Sequence, residues 1–325
     1  MREIGGFIEL QFAKKKEFHK KALKLNTGRN ALEYILEANN YQKIYLPYYV
    51  SNSVLEPVDK LGVSFEYYHI DEHFIPQLDL SKIGKNEVLL YVNYFGICSK
   101  QARELVCQQK QLGFNLCLDN TQAFFAEQFP GVDTFYSARK FFGVPDGGYL
   151  YTNTFLAKEL EQECVSDRFA YLIERIESGA QAAYADFRKS ALLHRNLPIR
   201  QMSKISETIL ASIDYKQATK IRRDNFSFIH ENLKEKNILS IDPSEVEAPM
   251  VYPFLFPDAH LLRAYLISKQ IYVAQYWPEV LLKPGINKPE YELANNLVSI
   301  PIDQRYDRKD MTYICTCIAG FFNKY

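Results

Sequence analysis

Asp119, Gln122, Ser137 and Lys140 all lie in the stretch LCLDNTQAFFAEQFPGVDTFYSARKFFGVPDGGYLY (116–151), and their types and spacing could do chemistry. Asp119 closes an apolar, strand-like run, and ligands of open α/β sheets bind at such strand ends. Gln122 follows three residues later, Ser137 follows Asp119 by eighteen, and Arg139 and Lys140 share a turn before a proline-glycine loop. A lysine that can lose its proton attacks an aldehyde and then shuttles that proton, which requires surroundings that lower its pKa. A fixed carboxylate such as Asp119 can keep a heteroaromatic nitrogen protonated. A phosphate needs backbone amides and hydroxyls, best at a helix N-terminus. LNTGRNALEYIL (25–36) offers one, because Gly28 opens a helix-like run with Arg29 and Asn30 in its first turn. Ser137 is a second phosphate candidate. Taken singly, Asp119 reads as a cap, Lys140 as a surface lysine and Gly28 as a tight turn; their order together points to one site.

The elements that must position these residues alternate short apolar runs with longer helix-like stretches, the pattern of a sheet built from crossover units. Strands are predicted at KIYLPYY (43–49), SFEYYHI (64–70), EVLLYVNYFG (87–96), NLCLD (115–119), TFYSA (134–138) and GGYLYTN (147–153). Helices are predicted in GRNALEYILEANN (28–40), NSVLEPVDKLG (52–62) and SKQARELVCQQKQLG (99–113). The last two end in Gly62 and Gly113, which suits left-handed C-terminal caps. A polar, helical region from about 155 to 235 follows, and its second part reads as one long amphipathic helix in DYKQATKIRRDNFSFIHENLKEK. Beyond it, APMVYPFLF (248–256) and IYVAQYW (271–277) read as strands, with helices in HLLRAYLISKQ (260–270) and the closing DRKDMTYICTCIAGFFNKY. The predicted architecture is α/β: a large domain, residues 1–215, with a mixed, mostly parallel sheet and helices on both faces, and a small C-terminal α+β domain, residues 216–325.

The 325 residues carry 39 Lys and Arg against 39 Asp and Glu, with 47% apolar and 24% charged residues. That composition fills real cores, and the even balance gives no broad attraction for nucleic acid or anionic lipid. A small-molecule partner is expected. No run approaches the ~20 apolar residues that span a bilayer. MREIGGFIELQF followed by KKKEFHKK is broken by charge and has no small-residue cleavage site, so it does not read as a secretory signal. The six cysteines, Cys98, Cys107, Cys117, Cys164, Cys315 and Cys317, form no CxxC pair and have no histidine nearby. They are expected to be buried thiols in a reducing cytoplasm, with no metal site. The 23 Tyr and 22 Phe point to a large aromatic core and an oligomer interface.

The order TGRNAL, LPYYVSNSV, YVNYFG, LDNTQAFFA, SARKFFGVPDGG and NLVSIPIDQRY runs over nearly the whole chain. It resembles the DegT/DnrJ-type aminotransferases, fold type I pyridoxal-phosphate enzymes that make amino sugars on nucleotide carriers. The resemblance implies pyridoxal 5'-phosphate as cofactor, with Lys140 as the Schiff-base lysine, Asp119 as partner of the pyridinium nitrogen and Gln122 bonded to the ring hydroxyl. It implies phosphate contacts at Gly28 and Arg29, mostly through backbone amides, and at Ser137. The aromatic ring that stacks on the cofactor is implied at Tyr49, with Tyr48 as the alternative. Asn93 stands where a histidine or asparagine often lines the pocket; it and Tyr49 can also be read as core or edge residues. Two departures stand out. The serine-to-lysine turn is SARK rather than an SFHxxK-like sequence, and RNHG- and NYRM-like stretches that reach the neighbouring subunit's site are not evident between 155 and 215.

The function implied is transfer of an amino group from an amino-acid donor, glutamate by the resemblance, to a keto-sugar on a nucleotide, in a cytoplasmic homodimer. The diphosphate of such a substrate calls for arginine forks outside the cofactor pocket. Arg195 and Arg200 in HRNLPIRQM (194–202) are the candidates, whereas Arg222 and Arg223 in KIRRDNF read first as a solvated helix face. Trp277, the one tryptophan, is a candidate wall for sugar or nucleotide, and otherwise a core or interface aromatic. An amino-acid transaminase or a dehydratase would share the cofactor residues, although the sugar dehydratases of this fold resemble a version with histidine at the lysine position, which Lys140 argues against. A non-catalytic protein that binds the cofactor or a partner is the third reading.

Overall fold

The computed structural model describes residues 4–324. Strands β1 (Leu23–Leu25), β2 (Lys43–Pro47), β3 (Ser64–Ile70), β4 (Pro76–Gln77), β5 (Glu87–Val92), β6 (Asn115–Asn120), β7 (Asp133–Ser137) and β8 (Gly148–Tyr151) form one sheet in the order β1-β8-β7-β6-β5-β2-β3-β4. From β7 to β3 the strands are parallel, while β8, β1 and β4 join antiparallel at the two edges. A parallel centre covered by helices needs strands that are apolar throughout. Val88 to Val92 of β5 are accordingly all buried.

The connecting helices follow from caps and periodicity. Helix α1 (Gly28–Ala38) starts at Thr27, whose hydroxyl accepts from the amide of Asn30, and it packs on β7 and β8 with Leu32, Ile35 and Leu36 buried. Helices α2 (Leu55–Leu61) and α3 (Ser99–Leu112) stop at Gly62 and Gly113, whose φ angles of 65° and 78° are the left-handed caps the sequence calls for.

After β8 the chain runs through α4 (Ala170–Glu177), α5 (Gly179–Ala182), α6 (Tyr184–Leu192), α7 (Lys204–Leu210) and the long α8 (Tyr215–Leu233). The remainder is β9 (Val251–Leu255), α9 (Ala259–Ser268), α10 (Lys288–Asn296), β10 (Leu297–Pro301) and α11 (Arg308–Lys324), with β9 and β10 paired antiparallel.

Three expectations are corrected here. Residues 271–277 are not a strand: Gln270 and Trp277 bracket them with left-handed φ angles of 60° and 56°, and one bridge, Ala274 to Ser299, is all that pairs. The partner of β9 is β10 instead. Arg222 is not on a solvated face, since it falls on the buried stripe of α8 with Ala218, Phe226 and Ile229. Finally, Cys98, Cys117 and Cys317 are buried, but Cys107 and Cys164 are exposed and Cys315 is half-buried.

Candidate active site

The carboxyl ends of β2, β6 and β7 and the N-terminus of α1 surround a pocket of about 750 Å³, counting the solvent at its mouth. Asp119 from the end of β6, Ser137 from the end of β7, Lys140 from the turn after it, and Gly28 and Arg29 from the start of α1 line this pocket together. Trp277 closes it from the C-terminal part of the chain.

Two glycines and an aspartate set the lysine turn. Ser137 pairs with Gly148 across β7 and β8, and the amide of Ala138 donates to Gly147 O at 3.0 Å. A Cβ on Gly148 would lie 2.6 Å from Thr27 O, so only glycine lets β8 run against the start of α1. Gly147, at φ +132°, turns the chain into that contact. Asp146 is fully buried and accepts from Ser203 N at 2.8 Å, Ser203 Oγ at 2.6 Å and Ser206 Oγ, which pins the loop to the cap of α7.

Within this frame Thr121 joins the two central groups. Its amide donates to Asp119 Oδ1 at 2.8 Å and its hydroxyl accepts from Lys140 Nζ at 3.0 Å. Burial pushes the Asp119 carboxyl above the usual carboxylate range, opposed by Lys140 and by the bonds to Thr121. Lys140 lies deep in the molecule, yet its side chain is open to the solvent of the pocket. Loss of bulk water lowers its pKa from the ordinary lysine value; Asp119 opposes this, while the guanidiniums of Arg139 and Arg29 add to it.

The start of α1 presents the amides of Gly28 and Arg29, which precede the first intrahelical bonds and are free to meet an anion. The Arg29 side chain itself is turned to Glu56 Oε2 (3.0 Å) and to His194 O (2.9 Å). Gln122 is fully buried; its Oε1 accepts from Phe95 N at 2.8 Å, and its Nε2 is buried without a partner among the described residues.

Gln122 lies behind the pocket wall, and so do several other predicted residues. Tyr49 is fully buried, edge-on to Trp277 at 4.8 Å and stacked on Tyr94 at 5.6 Å, with its hydroxyl unpartnered. Tyr48 stacks on Tyr67 and His69. Asn93 closes the entry to α3, accepting from Cys98 N (3.0 Å) and donating to Ser99 Oγ (3.2 Å). Arg200 is held by Glu161 (3.2 Å) and Glu163 (3.3 Å), and Arg195 is exposed, close enough to Arg29 to lower its pKa.

Sequence reasoning did not single out Thr121, His194 or Arg139 as site residues, although all three line the pocket. Among the described residues Arg139 makes no ion pair or hydrogen bond, and its Nε is buried. Its place next to Lys140 was the available signal. His194 reaches the pocket through fold alone: its ring nitrogens face Ser190 O (2.6 Å) and Pro145 O (2.8 Å), and burial lowers its pKa to about 4.

No protein-family model matches the sequence, and no curated protein matches it. Solved structures do. A DegT DnrJ EryC1 StrS aminotransferase from Brucella abortus is 16% identical, with a TM-score of 0.65, covering 92% of this chain and 85% of the other. A sugar aminotransferase from Micromonospora echinospora is 14% identical at a TM-score of 0.64, covering 92% and 87%. An aminotransferase from Streptoalloteichus hindustanus is 14% identical at a TM-score of 0.65, covering 94% and 87%. At these identities the shared property is the architecture, and the chain has the fold of these aminotransferases.

Proposed function

We propose that this chain is a pyridoxal-phosphate-dependent aminotransferase that takes its amino group from glutamate and delivers it to a keto-sugar on a nucleotide. The observation that carries the reading is the convergence of Lys140, Asp119 and the start of α1 on one pocket. The residues present fit the cofactor, because Gln122 Nε2 is a buried donor in want of an acceptor. Gln122 would hold the ring hydroxyl, Asp119 the ring nitrogen, Lys140 the aldehyde carbon, and the amides of Gly28 and Arg29 with Ser137 the phosphate.

When bound, the cofactor supplies a protonated ring that stabilises negative charge on the carbon beside the transferred nitrogen. Lys140, with its pKa below the ordinary value, has more of its amine uncharged near neutral pH and can take and return a proton at Nζ. Thr121 Oγ1 holds that amine at rest. Asp119, pushed up by burial and drawn back by Lys140 beside it, would face the ring nitrogen with little water to screen it, and Trp277 lines the pocket from the C-terminal side. The sugar part is supported by the sugar aminotransferase among the structural neighbours, and the nucleotide part by the exposed Arg195. A homodimer belongs to the same reading, supported by the exposed apolar residues Phe7, Ile8 and Ile176, as does a division of the chain near the start of α8.

The test is a donor screen on the purified protein with the cofactor added, following 2-oxoglutarate release and then amination of nucleotide-linked keto-sugars. Release from glutamate with sugar amination is expected. Rapid transamination of plain 2-oxo acids alone would move the assignment to an amino-acid transaminase.

A further inference from the structure

Arg222 is 1% exposed in the middle of α8, and none of its hydrogen bonds goes to a carboxylate. Its Nε donates to Gln304 Oε1 at 2.7 Å, one terminal nitrogen to Pro249 O at 3.0 Å and Met250 O at 3.2 Å, and the other to Phe141 O at 3.4 Å. The guanidinium also lies over the Phe141 ring, 4.6 Å from its centre. Gln304 completes a triangle, its Nε2 donating to the same Phe141 carbonyl at 2.8 Å. Asp303, the carboxylate whose charge acts on this cation, is bonded to Arg305 at 2.7 Å instead.

Phe141 directly follows Lys140. It is gripped by carbonyl and ring from two segments 81 and 163 residues further along the chain. A buried cation met by neutral acceptors is a costly way to fill space, since an apolar side chain of similar volume is as stable or more so. What an apolar side chain cannot do is hold a peptide group by two directed bonds.

We propose that Arg222 and Gln304 form a positioning clamp that fixes the Phe141 peptide and thereby aims Lys140 at Thr121 and Asp119. The use made of Lys140 rests on the aminotransferase reading; the aiming itself does not require the cofactor. With the clamp open, the Lys140 amine leaves Thr121 and the crowded wall of the pocket for the solvent at its mouth. Its pKa then rises toward the ordinary lysine value, because loss of bulk water is the main cause that lowers it.

The experiment is acylation of the full chain across neutral to alkaline pH, without cofactor, read at Lys140 by peptide mass spectrometry against exposed lysines in the same digest. A parallel series measures capture of pyridoxal phosphate. In wild type, Lys140 should label with a midpoint below that of the exposed lysines. In Arg222→Met the midpoint should rise toward that of the exposed lysines, with slower labelling at neutral pH. Gln304→Ala should shift it the same way by less. A folded Arg222→Met protein or a Gln304→Ala protein with unchanged rate and midpoint overturns the clamp, even if its melting temperature falls. Should Arg222→Met not fold, Gln304→Ala decides alone. A midpoint shift in chains that never capture pyridoxal phosphate would sink the cofactor reading and leave the clamp standing.

Discussion

The carboxyl edge of the sheet and the helical stretch from 155 to 215 treat their charged side chains in opposite ways. At the sheet edge the groups that could do chemistry stay available: Lys140 meets a hydroxyl, and among the described residues Gln122 Nε2 has no partner and Arg139 no carboxylate. In the helical stretch two arginines are consumed locally, Arg168 by Glu163 at 2.9 Å and Arg200 by Glu161 and Glu163, while Phe155, Ile173, Ile176 and Phe187 stand exposed. The first region leaves polar groups suited to a small anionic ligand. The other is an unfinished surface, whose apolar side chains suit a second copy of the chain better than a diphosphate.

The sharpest way to break that contrast is Asp119→Asn. A neutral amide cannot keep the ring nitrogen protonated, so the donor half-reaction should fall by about 10²–10³-fold while the fold and most cofactor capture persist. Stopped-flow absorbance with glutamate measures it. Turnover near wild type would reduce Asp119 to the cap of the Thr121 turn.

Arg139→Gln and Ser137→Ala probe the same region more gently. Each removes a group suited to phosphate, so affinity for pyridoxal phosphate should drop by about 10–100-fold with affinity for pyridoxal nearly unchanged, as expected for charge-assisted bonds worth about 1.5–3 kcal/mol. Titration with the two aldehydes compares them. Equal losses for both would mean that these residues support the turn rather than meet an anion.

For the helical stretch the effects should be smaller and divided. Arg195→Ala should raise the KM for the sugar nucleotide by about tenfold and leave the donor half-reaction alone. Arg200→Ala should instead lower the melting temperature with little change in KM, because its guanidinium is already bound to two glutamates. Steady-state kinetics and thermal melts separate the two, and the reverse pattern would make Arg200 the substrate arginine. The smallest effect on chemistry should come from Ile176→Glu. That substitution should turn a wild-type dimer into a monomer by light scattering while cofactor capture continues. A wild-type monomer at micromolar concentration would mean that no second copy covers this surface.

Much of this was legible in the sequence because strand ends and caps are local. Asp119, Ser137 and Lys140 sit where a run of apolar residues stops, and Gly62 and Gly113 mark helix ends by their own chemistry. The misreadings have physical causes. IYVAQYW has strand composition, but left-handed residues at both its ends keep it out of the ladder. Arg222 was hidden by charge: Ala218, Phe226 and Ile229 flank it at helical spacing, so the stripe places it inside, and only its type argued otherwise. His194 joins the pocket by a contact to Pro145 across 49 residues, which no local pattern records.

The central claim is that Lys140 is the reactive amine of the pocket. Borohydride reduction of the protein equilibrated with pyridoxal phosphate, followed by peptide mapping, tests it most directly. Because only the uncharged amine attacks an aldehyde and the Lys140 pKa lies below the ordinary value, capture should rise with pH through a midpoint below 10.5. The account predicts a single pyridoxyl label on Lys140; a label on another lysine, or none at saturating cofactor, would contradict it.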